Sequence, residues 1–534
     1  SGELHLRPVL NLKDPNDVEL FYKLGKEVAR LVKQFKGSLS GEHGDGRLRG
    51  EFIPIILGEH NYNLLKSVKN AWDPNHILNP GKITDTPSMK ESLRHEPGKP
   101  IRTFQTWFDY SETDGLLRLV EKCNGTADCR KSAQIGGTMC PSFMATRDEE
   151  HTTRGRANIL REFLTHSNKQ NPFDHPEIRE VLDLCLSCKA CKSECPSSVD
   201  IAKLKAEFLQ HYYNKHGIPL RTWMIAHITL FNRLGSLLPG VFNFFVNNSL
   251  SSGIFKKLSG FAIRRSIPKL YKTTLRKWIQ KNRQYLGSKG AGKKVVLFID
   301  EFTNYNDTKM GIKAIKLLDA LGYQIETVPH QESGRTYLSK GLLKKAASIA
   351  QSNVQTFQNL VSEDVPLIGL EPSAILTFRD EYPELVNKEV KENATKLSQH
   401  AFMLDEFIVK EFTRGNISSE QFNPVKKNIK LHGHCQQKAV ASTLPSKQML
   451  SIPANYRVEE IPSGCCGMAG SFGYEKEHYD ISMKIGEMVL FPAVRETLPE
   501  TLIAAPGTSC RHQIKDGTGK QAYHPVEILY DALL

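Results

Sequence analysis

Cys185, Cys188, Cys191 and Cys195 stand in the run CLSCKACKSECP, a C-x2-C-x2-C-x3-C-P repeat. Thiolates at that spacing can wrap one face of an iron–sulfur cubane, and the cysteine before proline usually reaches across to a second cluster. A zinc site is the competing use of four thiols, but zinc knuckles favour separated C-x2-C pairs and often histidine. Plain buried thiols would need no regular spacing. Upstream, CNGTADCRKSAQIGGTMCPSF adds Cys123, Cys129 and Cys140-Pro141. If two clusters exchange their last ligands, Cys140 completes one [4Fe–4S] site with Cys185, Cys188 and Cys191. Cys123, Cys129 and Cys195 are then one short of a second set. That site needs a non-cysteine ligand, holds three irons, or is empty. Arg147, Arg154 and Arg156 lie between the two groups, where they could offset cluster charge, dock a partner, or form a solvated helix face.

The last four cysteines are Cys435, the adjacent pair Cys465-Cys466 inside GCCG, and Cys510. Two neighbouring thiolates can aim at one centre only on a permissive backbone, which the flanking glycines supply. A further iron–sulfur cluster is the favoured occupant; zinc, a dithiol redox pair or an empty pocket are the alternatives. His434 and His512 are candidate extra ligands, and His432 reads as strand packing. A third chemical stretch is SGEHGDGRLRGEF near the start. Gly41, Gly44 and Gly46 let the backbone approach a flat or charged ligand, while Glu42, His43, Asp45 and Arg47 supply polar groups. WDPNHILNPGKI places Asn79 before Pro80 and Gly81 in a tight turn.

Around these residues the pattern predicts a multidomain α+β chain, since 534 residues exceed one core. Alternation around His5 predicts a strand. A helix is expected from about Pro15 to Phe35 with Asp14 as its cap. TDTPSMKESLRHEPGKP, rich in proline and charge, reads as a linker. The forty residues between Cys140 and Cys185 are helical in character, with Thr152 or Thr153 as cap, which argues for an all-α ferredoxin rather than a compact β-containing one. The second half alternates strand and helix, the mark of α/β layering. KKVVLFID, YQIETV and PLIGLEP are strand-like, with helices at Lys309–Leu321 and from about Ser339. NIKLHGHC, VEEIP and TLIAAPGTSC repeat the pattern, so two similar lobes are expected. In the first lobe Glu332-Ser333-Gly334 stands where the double cysteine would be, and Ala374 where Cys510 would be.

Residues 1–84 resemble the C-terminal part of FAD-linked oxidases of the vanillyl-alcohol-oxidase type, above all the D-lactate, glycolate and D-2-hydroxyglutarate dehydrogenases. The resemblance implies a divalent metal (Zn or Mn) beside the flavin, held by two histidines seven residues apart and by a glutamate followed by histidine. His5 matches the second histidine and Glu42 the carboxylate; the first would precede Ser1. His43 then matches the catalytic base, Arg47 lies where it could meet a substrate carboxylate, Gly44 borders the cofactor, and Asn79 belongs to a turn that resembles the flavin-edge contact. A 2-hydroxy acid chelated to a metal has a more acidic hydroxyl, which a neutral imidazole can deprotonate. FAD is expected only with the FAD-binding domain that should lie upstream. The second lobe resembles the cysteine-rich CCG domain of glycolate oxidase iron–sulfur subunits and heterodisulfide-reductase-type proteins.

The expected layout is an oxidase tail (1–84), a linker (85–104), a helical 4Fe–4S ferredoxin domain (105–220), a basic amphipathic connector (221–290), a first CCG-like lobe without its cysteines (291–425) and a second CCG lobe (426–534). The function this implies is oxidation of a small 2-hydroxy acid, with electrons passed through 4Fe–4S to a quinone or an electron-transfer protein. The alternative is a non-catalytic electron-transfer subunit serving a separate flavoprotein. Clustered cysteines with no signal peptide point to reduced thiols and a cytoplasmic setting. The formal net charge of +13 allows nucleic acid, an anionic membrane or an acidic partner. No zinc-finger or RNP-type signature accompanies it, so no nucleic acid is expected. The greasy, basic connector has no run long enough to span a bilayer and suits either a peripheral helix on the inner face of the cytoplasmic membrane or an ordinary interdomain hairpin.

Overall fold

The computed structural model describes residues 5–287 and 293–534. The chain divides into two compact units, Ser1–Ile101 and Arg102–Leu534.

In the first unit, Pro15–Gln34 is helical, and the Asp14 side chain accepts the Asn16 N–H at its N-terminus. Proline at the first helical position and an aspartate cap are the expected start signal. A second helix, Ile53–Trp72, bends at Gly58, whose φ of 78° takes it out of helical geometry. Ala29 and Phe52 pack with Met89, so the run expected as a linker contributes to this small core. The strand expected around His5 is not formed: residues 5–11 carry no regular structure, and Leu6 and Val9 are 68% and 100% exposed. A lone strand with no neighbour to pair its backbone is not stable in water. The part of that expectation covering residues 1–4 lies outside the described residues.

The second unit opens with helices and no strand through residue 220, as expected for an all-α cluster module. Thr152 caps Thr153–His166 through the Gly155 N–H, and Asp200 caps Ile201–His216 through the Lys203 N–H. Shorter helices at Leu116–Glu121, Pro141–Thr146, Pro176–Asp183 and Ala190–Glu194 carry the cysteine loops between them.

Two four-stranded parallel sheets follow. The first comprises β1 (Lys294–Leu297), β2 (Gln324–Glu326), β3 (Leu367–Gly369) and β4 (Ala401–Met403), ordered β2-β1-β3-β4. The second comprises β5 (Lys427–Leu431), β6 (Tyr456–Glu460), β7 (Leu502–Ala504) and β8 (Ala522–Tyr523), ordered β6-β5-β7-β8. The two sheets share one strand order. In such sheets ligands gather at the carboxyl ends of the strands where the chain reverses direction across the sheet. That edge is where β5, β6 and β7 release Cys435, Cys465-Cys466 and Cys510. The long helix expected from about Ser339 runs from Leu343 to Phe357, and the short helix Arg335–Ser339 precedes it across Gly341, whose φ is 70°.

One buried cluster runs from Leu116 and Val120 through Phe208 to Phe357 and Phe378, and it includes Cys140, Cys188, Cys435 and Cys465. The cysteine loops therefore sit inside the core rather than on its surface. The first lobe has filled its equivalent edge differently. Glu301 begins the helix after β1 as Cys435 begins the one after β5, and its carboxylate accepts both the Ser333 N–H (2.9 Å) and Oγ–H (2.7 Å).

Burial, with Glu332 close by, holds the Glu301 carboxyl well above its usual range; burial, with Glu301 close by, pushes Asp300 up to about 7. In the unfolded chain both ionise near 4. Stability carried by these protonated acids is full below about pH 4 and drains as pH rises to about 7, because only the unfolded chain sheds its protons in that window. Glu301→Gln removes one of these titrations. Its urea midpoint should match the parent at pH 4 and exceed it at pH 8, by roughly 1–3 kcal/mol.

Candidate metal–thiolate centres

All eleven cysteines are free thiols. Cys140, Cys185, Cys188 and Cys191 line one cavity together with Arg156. This is the set expected from ligand exchange, with Cys140 joining the three from the C-x2-C-x2-C run. The loop wraps the cavity because Ser187 and Lys189 take left-handed conformations (φ 51° and 62°) between successive cysteines. Such backbone costs of order 1 kcal/mol per residue and persists only where the surroundings hold it. Lys189, 4% exposed, is held by Asp380 and Glu381 of the first lobe, and Lys192 pairs with the same Asp380. Those two lysines keep Asp380 below the usual carboxylate range despite its burial.

Donors point at the sulfurs. Arg156, 1% exposed, donates from Nη1 to Cys140 Sγ (3.3 Å), from Nη2 to Ser142 Oγ (2.9 Å) and from Nε to the Val181 carbonyl (3.1 Å). The Ile201 N–H donates to Cys191 Sγ at 3.4 Å. Burial alone would lower the Arg156 pKa, but the thiols of Cys140, Cys185 and Cys191 outweigh it. A buried cation among four thiols fits an anionic thiolate-held group, and N–H···S bonds of this kind set a cluster's potential. Arg156→Met should therefore lower the potential of the group bound here by roughly 50 mV at unchanged iron content, read by redox titration.

Cys123 and Cys129 are buried, and both are electrostatic neighbours of one another, with Cys140 also close to Cys129. The Arg154 N–H donates to Cys129 Sγ at 3.4 Å. Burial first, then these neighbours, raise the Cys129 pKa. Cys195, half-buried, ends the Ala190–Glu194 helix.

In the second lobe Cys435, Cys465, Cys466 and Cys510 form a continuous chain of thiol contacts, from Cys435 to Cys465 to Cys466 to Cys510. Hydrogen bonds from Cys465 and Cys510 hold the Cys466 thiol well below its usual range in spite of burial. Both flanking glycines have a steric reason. A Cβ on Gly464 would lie 2.7 Å from the Gly137 carbonyl and 3.0 Å from Thr138 Cα, and Gly467 has a φ of 91°.

His432 is the residue the sequence reading missed. It is fully buried after β5, as strand packing would require, but a ring nitrogen also lies within 4.8 Å of the Cys466 and Cys510 sulfurs. Its Nδ1 meets Ser463 Oγ at 2.7 Å, and Nε2 has no hydrogen-bond partner among the described residues. His434 instead caps the Cys435–Val440 helix through Nδ1, and the charged neighbours of His512 are Asp307, Arg511, Asp516 and Arg265 rather than thiols.

The two thiol centres adjoin. Cys435 is the charged neighbour that acts most strongly on Cys188, and Gln436 Nε2 donates to the Ser187 carbonyl at 3.5 Å. A second, small cavity is lined by Gly137, Thr138 and Pro141 and by Gly464 and Cys465.

In the first unit, Glu42 Oε2 and His43 Nε2 are 3.3 Å apart on an exposed loop, the His43 side chain being 80% accessible. Gly44 and Gly46 have φ of 72° and 56°, and the Gly44 carbonyl accepts Arg49 Nη2 at 2.7 Å. Arg47 donates to the Glu91 carbonyl at 3.2 Å. Asn79 is left-handed at φ 50°, in a turn pinned by Asp73, whose carboxylate accepts the Ile77 and Leu78 N–H groups and Lys69 Nζ. The described residues do not gather His5 with Glu42 in any set of three ligands spaced for a metal.

Residues 1–83 match the profile of FAD linked oxidases, C-terminal domain, and residues 122–200 that of the 4Fe-4S dicluster domain. The chain is 28% identical to the D-2-hydroxyglutarate dehydrogenase of Escherichia coli K12 over its whole length and 55% of that protein. It is 27% identical to one subunit of the E. coli K12 anaerobic glycerol-3-phosphate dehydrogenase, over 59% of this chain and 77% of that one. It is 25% identical to a probable glycolate oxidase iron–sulfur subunit of Bacillus subtilis over 74% and 91%. The chain spans about half the length of the D-2-hydroxyglutarate dehydrogenases it matches. No solved structure matches it. An FAD-linked-oxidase C-terminal domain and a 4Fe-4S dicluster domain thus lie in order along a chain homologous to D-2-hydroxyglutarate dehydrogenases and to a glycolate oxidase iron–sulfur subunit.

Proposed function

We propose that this chain serves the oxidation of a D-2-hydroxy acid to the 2-oxo acid, with D-2-hydroxyglutarate first among D-2-hydroxyglutarate, D-lactate and glycolate, and carries the electrons onward to a quinone or an electron-transfer protein. The observation that carries this is the packing of the Ala190–Glu194 helix against the Cys435–Val440 helix, with Cys188 and Cys435 in one buried cluster and electrostatically interacting, which puts two buried thiol centres side by side in a chain that also carries a flavin-oxidase loop. The thiols fit iron–sulfur groups: they are reduced, buried and met by N–H donors from Arg156, Arg154 and Ile201. Cys140, Cys185, Cys188 and Cys191 would hold one [4Fe–4S] cluster. Cys123, Cys129 and Cys195 would contribute to a second. Cys435, Cys465, Cys466 and Cys510, with His432, would hold a further one.

Bound FAD supplies a two-electron acceptor, and bound clusters convert its output to single-electron steps. The chain's own residues do the rest. His43 takes the substrate hydroxyl proton at an imidazole nitrogen, and Arg47 orients the substrate carboxylate. Gly44 and Asn79, both left-handed, let the backbone close on the flavin edge.

The names of two relatives, one a component of a glycerol-3-phosphate dehydrogenase and the other an iron–sulfur subunit, favour a second reading, an electron-transfer subunit for a separate flavoprotein. A polypeptide extended by the upstream domain separates the two. Bound flavin and dye-linked oxidation of D-2-hydroxyglutarate support the first. Flavin-free protein that accepts electrons only from an added flavoprotein supports the second. On either reading the chain meets the membrane as a peripheral protein, from the cytoplasmic side.

A further inference from the structure

From Phe208 to Ile299 the sequence has sixteen Lys and Arg and not one Asp or Glu. The whole chain carries +13, so everything outside this stretch is net acidic. Among the helices within it are three consecutive short ones, Ile228–Gly235, Pro239–Asn247 and Ser249–Ser259. Their large apolar side chains face outward. Leu238 is 66% exposed, Phe244 66%, Leu250 72% and Leu258 84%. Surface leucines scattered singly need no explanation, but a run of large exposed apolar residues on consecutive helices does.

The segment is built, not frayed. Asn243 exchanges two hydrogen bonds with the Leu270 backbone (2.8 and 2.9 Å), and Asn248 caps the third helix through the Leu250 and Ser251 N–H groups. Arg265, 1% exposed, ties it to the second lobe through the Gly473 carbonyl (2.7 Å) and Ser482 Oγ (2.8 Å). Arg221 pairs with Glu475 and Glu477 and Arg265 with Asp516, while at the two ends of the stretch Lys215 pairs with Asp174, Lys293 with Glu411 and Lys294 with Glu326. Lys257, Lys269 and Lys272 are exposed, and no described carboxylate pairs with them. No helix is long and apolar enough to cross a membrane. Helices of eight to eleven residues with apolar tips among cations, on a segment without acids, have the composition of an interfacial anchor, and a surface this uniformly basic complements anionic headgroups.

We propose that Ile228–Ser259, with the basic run that follows it, is the surface by which this protein lies on an anionic bilayer. This deepens the peripheral contact proposed above and places the thiol centres of the same compact unit on a protein held at the lipid surface. It is read by binding and not by turnover, so it can fail while the redox reading stands.

The experiment is sedimentation of the purified chain with vesicles of pure phosphatidylcholine, or of phosphatidylcholine with 30% phosphatidylglycerol. The expected result is at least tenfold tighter binding to the anionic vesicles, weakened by 0.5 M salt. Phe244→Ser with Leu258→Ser should cut that binding at least tenfold, and Lys257→Glu with Lys269→Glu and Lys272→Glu should do the same, with iron content and far-UV circular dichroism unchanged in both. Equal partition on the two vesicle types, or none on either, overturns the proposal. So does a soluble oligomer that Leu258→Ser dissociates, since a second copy would then be what covers this surface.

Discussion

Cys188→Ala should remove about four irons and four sulfides per chain, and the cluster's visible absorption with them. Cys188 is 8% exposed inside the cavity it shares with Cys140, Cys185 and Cys191. Because Cys435 is its strongest charged neighbour, the loss also removes the ligand on the side facing the second lobe. In the extended protein, electron delivery to a one-electron acceptor should fall at least a hundredfold while flavin reduction by substrate persists. Cys195→Ala is the contrasting variant. If ligands are exchanged as the cavity lining implies, it leaves the first cluster's iron in place and lowers only what the Cys123 and Cys129 group holds.

His43→Ala should lower turnover of the flavin-loaded, extended protein by about 10²–10⁴, the usual contribution of a positioned general base. His43 is largely exposed and meets Glu42 Oε2 at 3.3 Å, so its removal leaves no buried group unpaired and should change folding stability by no more than about 0.5 kcal/mol. The rate loss should fall on kcat with little change in KM. Arg47→Ala should instead raise KM, because its proposed partner is the substrate carboxylate. Turnover unchanged in His43→Ala, with flavin bound, would remove the base assignment.

The parts of the molecule that were legible in the sequence are those with short-range signals. Asp14-Pro15 marked a helix start because cap and proline act within one turn. KKVVLFID marked a strand because a parallel sheet buries both faces and leaves an apolar run, and NIKLHGHC marked one by alternation, with Ile429 and Leu431 buried. The assignment of Cys140 to the downstream three followed from ligand exchange, a rule of the cluster rather than of local structure. The strands β4 and β8 went unread, since three and two residues carry no periodicity. The strand around His5 was read from alternation that no partner strand realises. Gly341, at φ 70°, sets the start of the helix expected from about Ser339 at Leu343. His432 was hidden for a different reason. Its ligand-like position depends on where β6 and β7 deliver Cys466 and Cys510, and nothing within a few residues of His432 records that. The adjacency of Cys188 and Cys435, some 250 positions apart, is likewise a product of the fold alone.

The central claim is that these thiols are gathered to hold adjoining iron–sulfur groups. Iron, sulfide and zinc should be counted on anaerobically purified chain, with a low-temperature paramagnetic resonance spectrum before and after dithionite. The account predicts at least about four irons and four sulfides per chain and a signal that grows on reduction, broadened by coupling if the second-lobe centre is also loaded. Colourless protein without sulfide, carrying stoichiometric zinc on the same cysteines, would contradict it.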